Sequence, residues 1–189
     1  GVKQVKAPEA WSTSKGKGIR VAVLDTGIDF NHPDLKDNYV DGVSFVKGAP
    51  TPMDDHCHGT HCAGTIAAAM NGAGVVGVAP EASLYAVKVL DKNANGLFSW
   101  SIACFDCCIH YDMHIVSISL VSVSVPTAVE LLYYGSWYKC LLILWFGGNP
   151  VEILLSPAHS SIFSTLKAHA RYTVFTLTPH LLNPDTHRQ

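Results

Sequence analysis

Glycine is missing from the end of this 189-residue chain: none of its 15 glycines follows Gly148. Charge is scarce too, at 15 % of residues, and most of it lies before residue 100. No cluster of lysine or arginine occurs and the formal net charge is -2, so nucleic acid and anionic membranes find nothing to condense on. Both partners are set aside. Long apolar runs are also absent. The longest strongly apolar stretch, Cys140 to Phe146, falls far short of the ~20 residues a bilayer needs and reads as a buried strand. No methionine and no basic-then-apolar leader stand at the start, so Gly1 is expected to open a processed product or a fragment. The six cysteines match no disulfide scaffold in their spacing, and a chain of this length needs none, which leaves the redox compartment open. What is present is apolar bulk, at 48 % of residues. That suits one globular core and excludes disordered, collagen-like and coiled-coil chains.

Four short runs bounded by turn signals read as strands: Ile19–Asp25, Ser83–Leu90, His114–Leu120 and Cys140–Phe146. Between them, His58–Met70, Ser99–Tyr111 and Thr127–Lys139 read as helices, the first closed by Asn71-Gly72. Strands alternating with helices imply right-handed crossovers and a mostly parallel sheet covered on both faces, an α/β fold. Residues 1–149 are expected to form the domain, with 150–189 a divergent tail in which Tyr172–Thr178 alone looks like a strand.

In an open parallel sheet, chemistry gathers at the carboxyl ends of the strands. Asp25 ends the first strand, before Thr26-Gly27, so its carboxylate should emerge at the crest; taken alone, the turn-forming reading is preferred, because Asp before Thr-Gly is ordinary turn chemistry. A dinucleotide site would need its glycines after the strand, and Gly16 and Gly18 precede it. The run HGTHCAGT, from His58 to Thr65, places Gly59 and Gly64 inside a helix, where each costs about 1 kcal/mol relative to alanine. Either another backbone or a ligand approaches closely there, or the helix is tightly packed in the core. His56, His58 and His61 beside Asp54 and Asp55 are a potential zinc cluster, but H-E-x-x-H is absent and the unliganded reading is preferred. Cys104, Cys107 and Cys108 with His110 and His114 resemble a second cluster. Trp100, Cys104, Cys107, Cys108 and Tyr111 also recur at helical spacing, and core packing is the preferred account.

Read in order, VAVLDTGID, His32–Leu35, HGTHCAGT and Gly77–Pro80 stand at the spacing of the subtilisin-like serine proteases, which the chain resembles closely from Gly1 to about Leu90. The resemblance implies a subtilisin-like α/β fold, with Asp25 and His58 as acid and base of a Ser-His-Asp triad in the chain order Asp, His, Ser. The chemistry requires such a pair. A serine hydroxyl is a poor nucleophile near neutral pH, so an imidazole must take its proton and a buried carboxylate must hold the ring. His61 is expected to be a buried histidine bonded within the fold, since a triad uses one base. Cys62 resembles the proteinase K-like branch. Phe98–Trp100 and Ser117–Leu120 resemble the segments flanking the substrate cleft. The implied substrate contacts are Ala94, Asn95, Gly96, Ser119 and Val121 along the main chain, with Leu90, Phe98 and Leu120 lining apolar subsites. Phe146–Asn149 resembles the strand end that supplies the family's oxyanion asparagine, which makes Asn149 the amide donor. Asp34 and Asn71, with the carbonyls of Ala69, Ala73 and Val75, match a calcium loop of the family. The same resemblance implies a peptide or protein substrate, a monomer and an extracellular location.

The resemblance stops before the nucleophile. The family's serine lies in Gly-Thr-Ser-Met-Ala beyond the oxyanion asparagine, and the chain contains no such motif. After Asn149 the serines are Ser156, Ser160, Ser161 and Ser164, and none has the glycine neighbour that a tight nucleophile turn uses. Val121 stands where the family carries glycine after Ser-Leu, which places a β-branched side chain at the first specificity pocket. A departure of the reading frame or sequence after Trp100 would account for the break. Two functions fit: a serine endopeptidase acting by acyl transfer but without its recognisable serine, and a non-catalytic subtilase-like domain that retains a peptide groove.

Overall fold

The computed structural model of the chain describes residues 1–120 together with 141–144 and 152–154. Its elements are α1 (Ala7–Ala10), β1 (Arg20–Asp25), β2 (Tyr39–Ser44), α2 (His58–Ala67), β3 (Ser83–Lys88), α3 (Phe98–His110), β4 (Ile115–Ile118), β5 (Leu141–Leu144) and β6 (Glu152–Leu154). The strands form one sheet in the order β2-β3-β1-β4-β5-β6. All neighbours are parallel except β5 and β6, which run antiparallel. The fold is α/β, with the mostly parallel sheet that the alternation of strand and helix runs implies. The helix expected at Thr127–Lys139 and the strand at Tyr172–Thr178 lie outside the described residues.

The strand period of two divides the core between the faces of the sheet. On one face Ala22 and Leu24 of β1 pack with Val87, Val116, Ile118 and the helix residues Cys104, Phe105 and Cys108. On the other, Val21 and Val23 pack with Leu84, Ala86, Ile28, Leu35 and the small residues Ala63 and Ala67 of α2. β1 is hydrogen-bonded to a neighbour on each side and buried on both faces, which explains its unbroken apolar run. Cys104 and Cys108 are core residues, 0 % and 2 % exposed, and His110 lies on the exposed end of α3. This is packing by small hydrophobes.

Helix α2 ends three residues before the expected Met70. The carbonyls of Thr65 and Ile66, which a longer helix would use internally, accept instead from the N–H groups of Val78 and Ala79 at 3.0 and 2.8 Å. The N–H of Ala69 is donated to the Asp34 carbonyl at 2.8 Å. Tertiary partners therefore end the helix where sequence alone shows no stop. β2 gave no strand signal either: it is an edge strand, largely unburied, and carries Asp41-Gly42 in its middle. Among the described residues no helix is long and apolar enough to cross a membrane.

Candidate active site

Register brings the site together. β1 and β3 pair from Arg20↔Ser83 to Asp25↔Lys88, so both strands finish level at the crest of the sheet. The chain leaves β1 through Thr26-Gly27 and returns at α2, whose first residue is His58. His58 Nδ1 lies 2.7 and 2.9 Å from the two carboxylate oxygens of Asp25. Since a carboxylate only accepts, Nδ1 carries the proton and Nε2 is left as the acceptor. Asp25 is 1 % exposed while the imidazole is 43 % exposed. The carboxylate is shielded from water, and the imidazole is partly exposed.

Gly59 explains how the pair comes so close. A side chain there would overlap the carbonyl oxygen of Gly27 and crowd Asp25, so α2 can dock on the β1 crest only with glycine at this position. Gly64, by contrast, has open space around its Cβ position and no close backbone. His61 is exposed, which corrects the expectation of a buried residue: α2 buries Gly59, Ala63 and Ala67, and position 61 falls on the opposite face. His56 and His61 line an open groove of about 780 Å³ beside α2, and neither Asp25 nor His58 lines it. The one group of potential metal ligands among the described residues is Asp25, His58 and Cys62, so His56 and His61 join no such cluster.

Asp54, Thr26 and Lys88, to none of which the sequence assigns this role, hold the arrangement. Asp54 accepts from the N–H groups of His56, Cys57 and Thr60 at 2.9, 3.0 and 2.9 Å, and from the Thr60 hydroxyl at 2.5 Å. It thus caps the start of α2. Burial works to raise its pKa, but the Thr60 hydroxyl, the N–H groups of His56 and Thr60 and the Thr26 hydroxyl outweigh that and hold the carboxyl below its usual range. Cys57, immediately before His58, adopts φ of +87°, a costly backbone for a residue other than glycine, and its N–H is one of those Asp54 fixes. Thr26 bridges the two segments, donating to Asp54 at 2.8 Å and accepting from Gly59 N–H at 2.9 Å. Lys88 is buried completely, with its ammonium on the Thr26 carbonyl and, at 2.6 Å, on Asp55.

Cys62 Sγ lies 3.9 Å from His58 Nδ1. Burial, and then the Asp25 charge, push its thiol pKa up to about 11, while the Ser119 hydroxyl works the other way. The thiol is therefore protonated at neutral pH and faces the ring nitrogen already occupied by Asp25. It is a packing neighbour of the imidazole and not a nucleophile for it. Its contact with Ser119 also places the segment after β4 beside the site.

Of the expected cleft residues, Leu90 and Leu120 pack with Trp100 on the same core cluster. Leu90 N–H is donated to the Asp25 carbonyl at 3.2 Å, which puts the start of the 91–97 loop next to the acid. In that loop Asp91 accepts from the N–H groups of Asn95 and Asn93 at 2.9 Å each, and these bonds lower its pKa. Ala94, Asn95, Gly96 and Phe98 are exposed along it. Val121 and Asn149 lie outside the described residues. Asp34, Asn71 and the segment from Ala69 to Val75 form a separate loop site. Asn71 donates to Asp34 Oδ1 at 3.1 Å and Val75 N–H to Oδ2 at 2.9 Å, and these bonds, Val75 first, hold the Asp34 carboxyl below its usual range. Gly74, with φ of +58°, lets the backbone wrap the carboxylate where any Cβ would overlap it.

A family model described as the subtilase family matches residues 16–173. Subtilisin E of Bacillus subtilis is 47 % identical over 151 residues, covering 79 % of this chain and 39 % of the relative. An intracellular serine protease of Paenibacillus polymyxa is 47 % identical over 124 residues, covering 64 % of this chain and 38 % of the relative. A subtilisin of Bacillus pumilus is 46 % identical over 151 residues, 54 % of that protein. The chain thus spans roughly two fifths to a little over half of the curated relatives named here. One relative is named intracellular, so kinship alone fixes no compartment. With the match running through the crest of the sheet and both Asp25 and His58, the chain belongs to the subtilase family.

Proposed function

We propose that this chain supplies the base, the orienting acid and the peptide cleft of a subtilisin-type serine endopeptidase. The observation that supports the reading is the asymmetry of the Asp25–His58 pair: a carboxylate shielded from water on Nδ1 of a partly exposed imidazole, which leaves Nε2 as the acceptor. In such a site His58 Nε2 accepts the proton of a serine hydroxyl as its oxygen attacks the peptide carbonyl, and returns that proton to the leaving amine. Asp25 fixes the tautomer and stabilises the imidazolium without itself taking the proton. Ala94 to Gly96 and Ser119 to Val121 would hold extended peptide by strand addition, with apolar side chains against Leu90, Phe98 and Leu120. Asn149 would donate its amide to the developing oxyanion.

The nucleophile is the missing part. No Gly-Thr-Ser turn occurs within the 189 residues, and this favours a second reading, a domain that binds peptide without forming an acyl-enzyme. Fluorophosphonate labelling decides the matter for the chain as it stands. No label and no more than trace peptidase activity are expected; stoichiometric labelling of any serine would overturn the reading of the tail.

Calcium belongs to the same proposal. The loop site offers hard oxygen donors in the Asp34 carboxylate, the Asn71 amide and the main-chain carbonyls of Ala69, Ala73 and Val75, a set suited to that ion. The loop brings Asp34 and Asn71 together, but both Asp34 oxygens and the Asn71 amide oxygen accept N–H groups here, so a bound ion would take the place of those hydrogen bonds. Bound there, calcium would tie the segment after α2 to Asp34.

A further inference from the structure

We propose that Lys88 is a positioning residue for the His58–Asp25 pair, clamping the turn before α2 to the crest of β1. The inference rests on the reading of His58 and Asp25 as base and acid. Lys88 is the largest fully buried side chain among the described residues, in a position where an apolar residue would cost nothing to desolvate. A buried ammonium persists only where it is paired and hydrogen-bonded. Its two partners define its role. One is the carbonyl of Thr26, the residue after Asp25; the other is the carboxylate of Asp55, three residues before His58.

The clamp therefore joins the two segments that carry the pair, without bonding to either member. Asp54 makes a parallel connection through the Thr26 hydroxyl. Two adjacent carboxylates of one turn thus fasten it to one strand end, Asp54 through a hydroxyl and Asp55 through a cation. Lys88 itself stands at the end of β3, paired in register with Asp25, so its stem is fixed by the sheet. Removing either partner leaves the turn held on one side only, and His58 gains freedom relative to Asp25.

The test is proton NMR on the full chain, following the low-field Nδ1–H resonance of His58 that a hydrogen bond to Asp25 produces. Asp55→Asn removes the exposed partner's charge with little change of shape, and Lys88→Met removes the cation while keeping a long stem. In each variant that proton is expected to exchange with solvent about tenfold faster than in the wild type. The double variant should be no worse than Lys88→Met, because the two residues act as one unit. Phe105→Leu, in the core beneath α3, serves as a control that lowers the melting temperature without touching the clamp. Unchanged exchange in a folded Asp55→Asn protein, or equal acceleration in Phe105→Leu, would overturn the proposal. Absence of the resonance from the wild type would instead bring down the base–acid reading beneath it.

Discussion

One hydroxyl at Thr26 and one carboxylate at Asp54 connect β1, the following turn and the start of α2; Thr26 stands within VAVLDTGID, but neither residue was assigned this connecting role from the sequence. Asp25 and His58 could be singled out because the runs that hold them, VAVLDTGID and HGTHCAGT, resemble the family; chemistry alone does not fix the chain order of such a pair. Asp54 and Lys88 were not, because their roles depend on partners 28 and 62 positions away. Asp54 entered the reading only as a zinc candidate, whereas the structure makes it a helix cap. Replacing it should therefore destabilise the fold: Asp54→Asn removes the charge and turns one of its acceptor oxygens into a donor, which is expected to cost about 1–2 kcal/mol at neutral pH. The pH dependence has a definite sign. A carboxyl whose pKa is lower folded than unfolded contributes its stability above the unfolded value, and loses it as pH falls through the folded one. The gap in melting temperature between wild type and Asp54→Asn should thus narrow as pH drops below about 4. A gap that stays constant from pH 7 to pH 3 would show that the carboxylate is not the stabilising form.

At the scale of elements, the strands of the sheet interior were readable and the helix end and the sheet edge were not. β1, β3 and β4 each place apolar residues in the core clusters on both faces of the sheet, and that apolar content marks them. β2 has no such content, and the stop of α2 is written in residues 77–79 and Asp34 rather than in the helix itself. The stretch from Ala68 to Val75 is where a ligand effect is expected. It is exposed over Met70–Val75 and is tied to Asp34 by the Asn71 and Val75 bonds. A weak calcium site there, filled at about ten times its dissociation constant, stabilises by about 1.4 kcal/mol, or roughly 3–6 °C in melting temperature. Calorimetry across millimolar calcium should show that rise in the wild type and not in Asp34→Ala. An unchanged melting temperature in both would mean that the loop holds itself together by hydrogen bonds alone.

The whole molecule gathers its chemistry at one crest, because parallel strands end together and their crossovers begin there. The α/β fold with its mostly parallel sheet followed from the alternation of strand and helix runs, and the family match bears that fold out. The composition break after residue 149 was equally plain in the sequence, but its consequence for function was not, since the absence of the motif from these 189 residues does not say what chemistry the protein performs. If acid and base are already in place, supplying a nucleophile should suffice. A hybrid in which the region after Asn149 is replaced by a subtilase continuation containing the Gly-Thr-Ser turn is the most direct test. The hybrid is expected to cleave peptides, and His58→Ala within it should lower kcat by at least about 10³-fold, the scale lost with a general base and its nucleophile activation. A folded hybrid that cleaves peptides at a rate indifferent to His58→Ala would contradict the assignment of the pair.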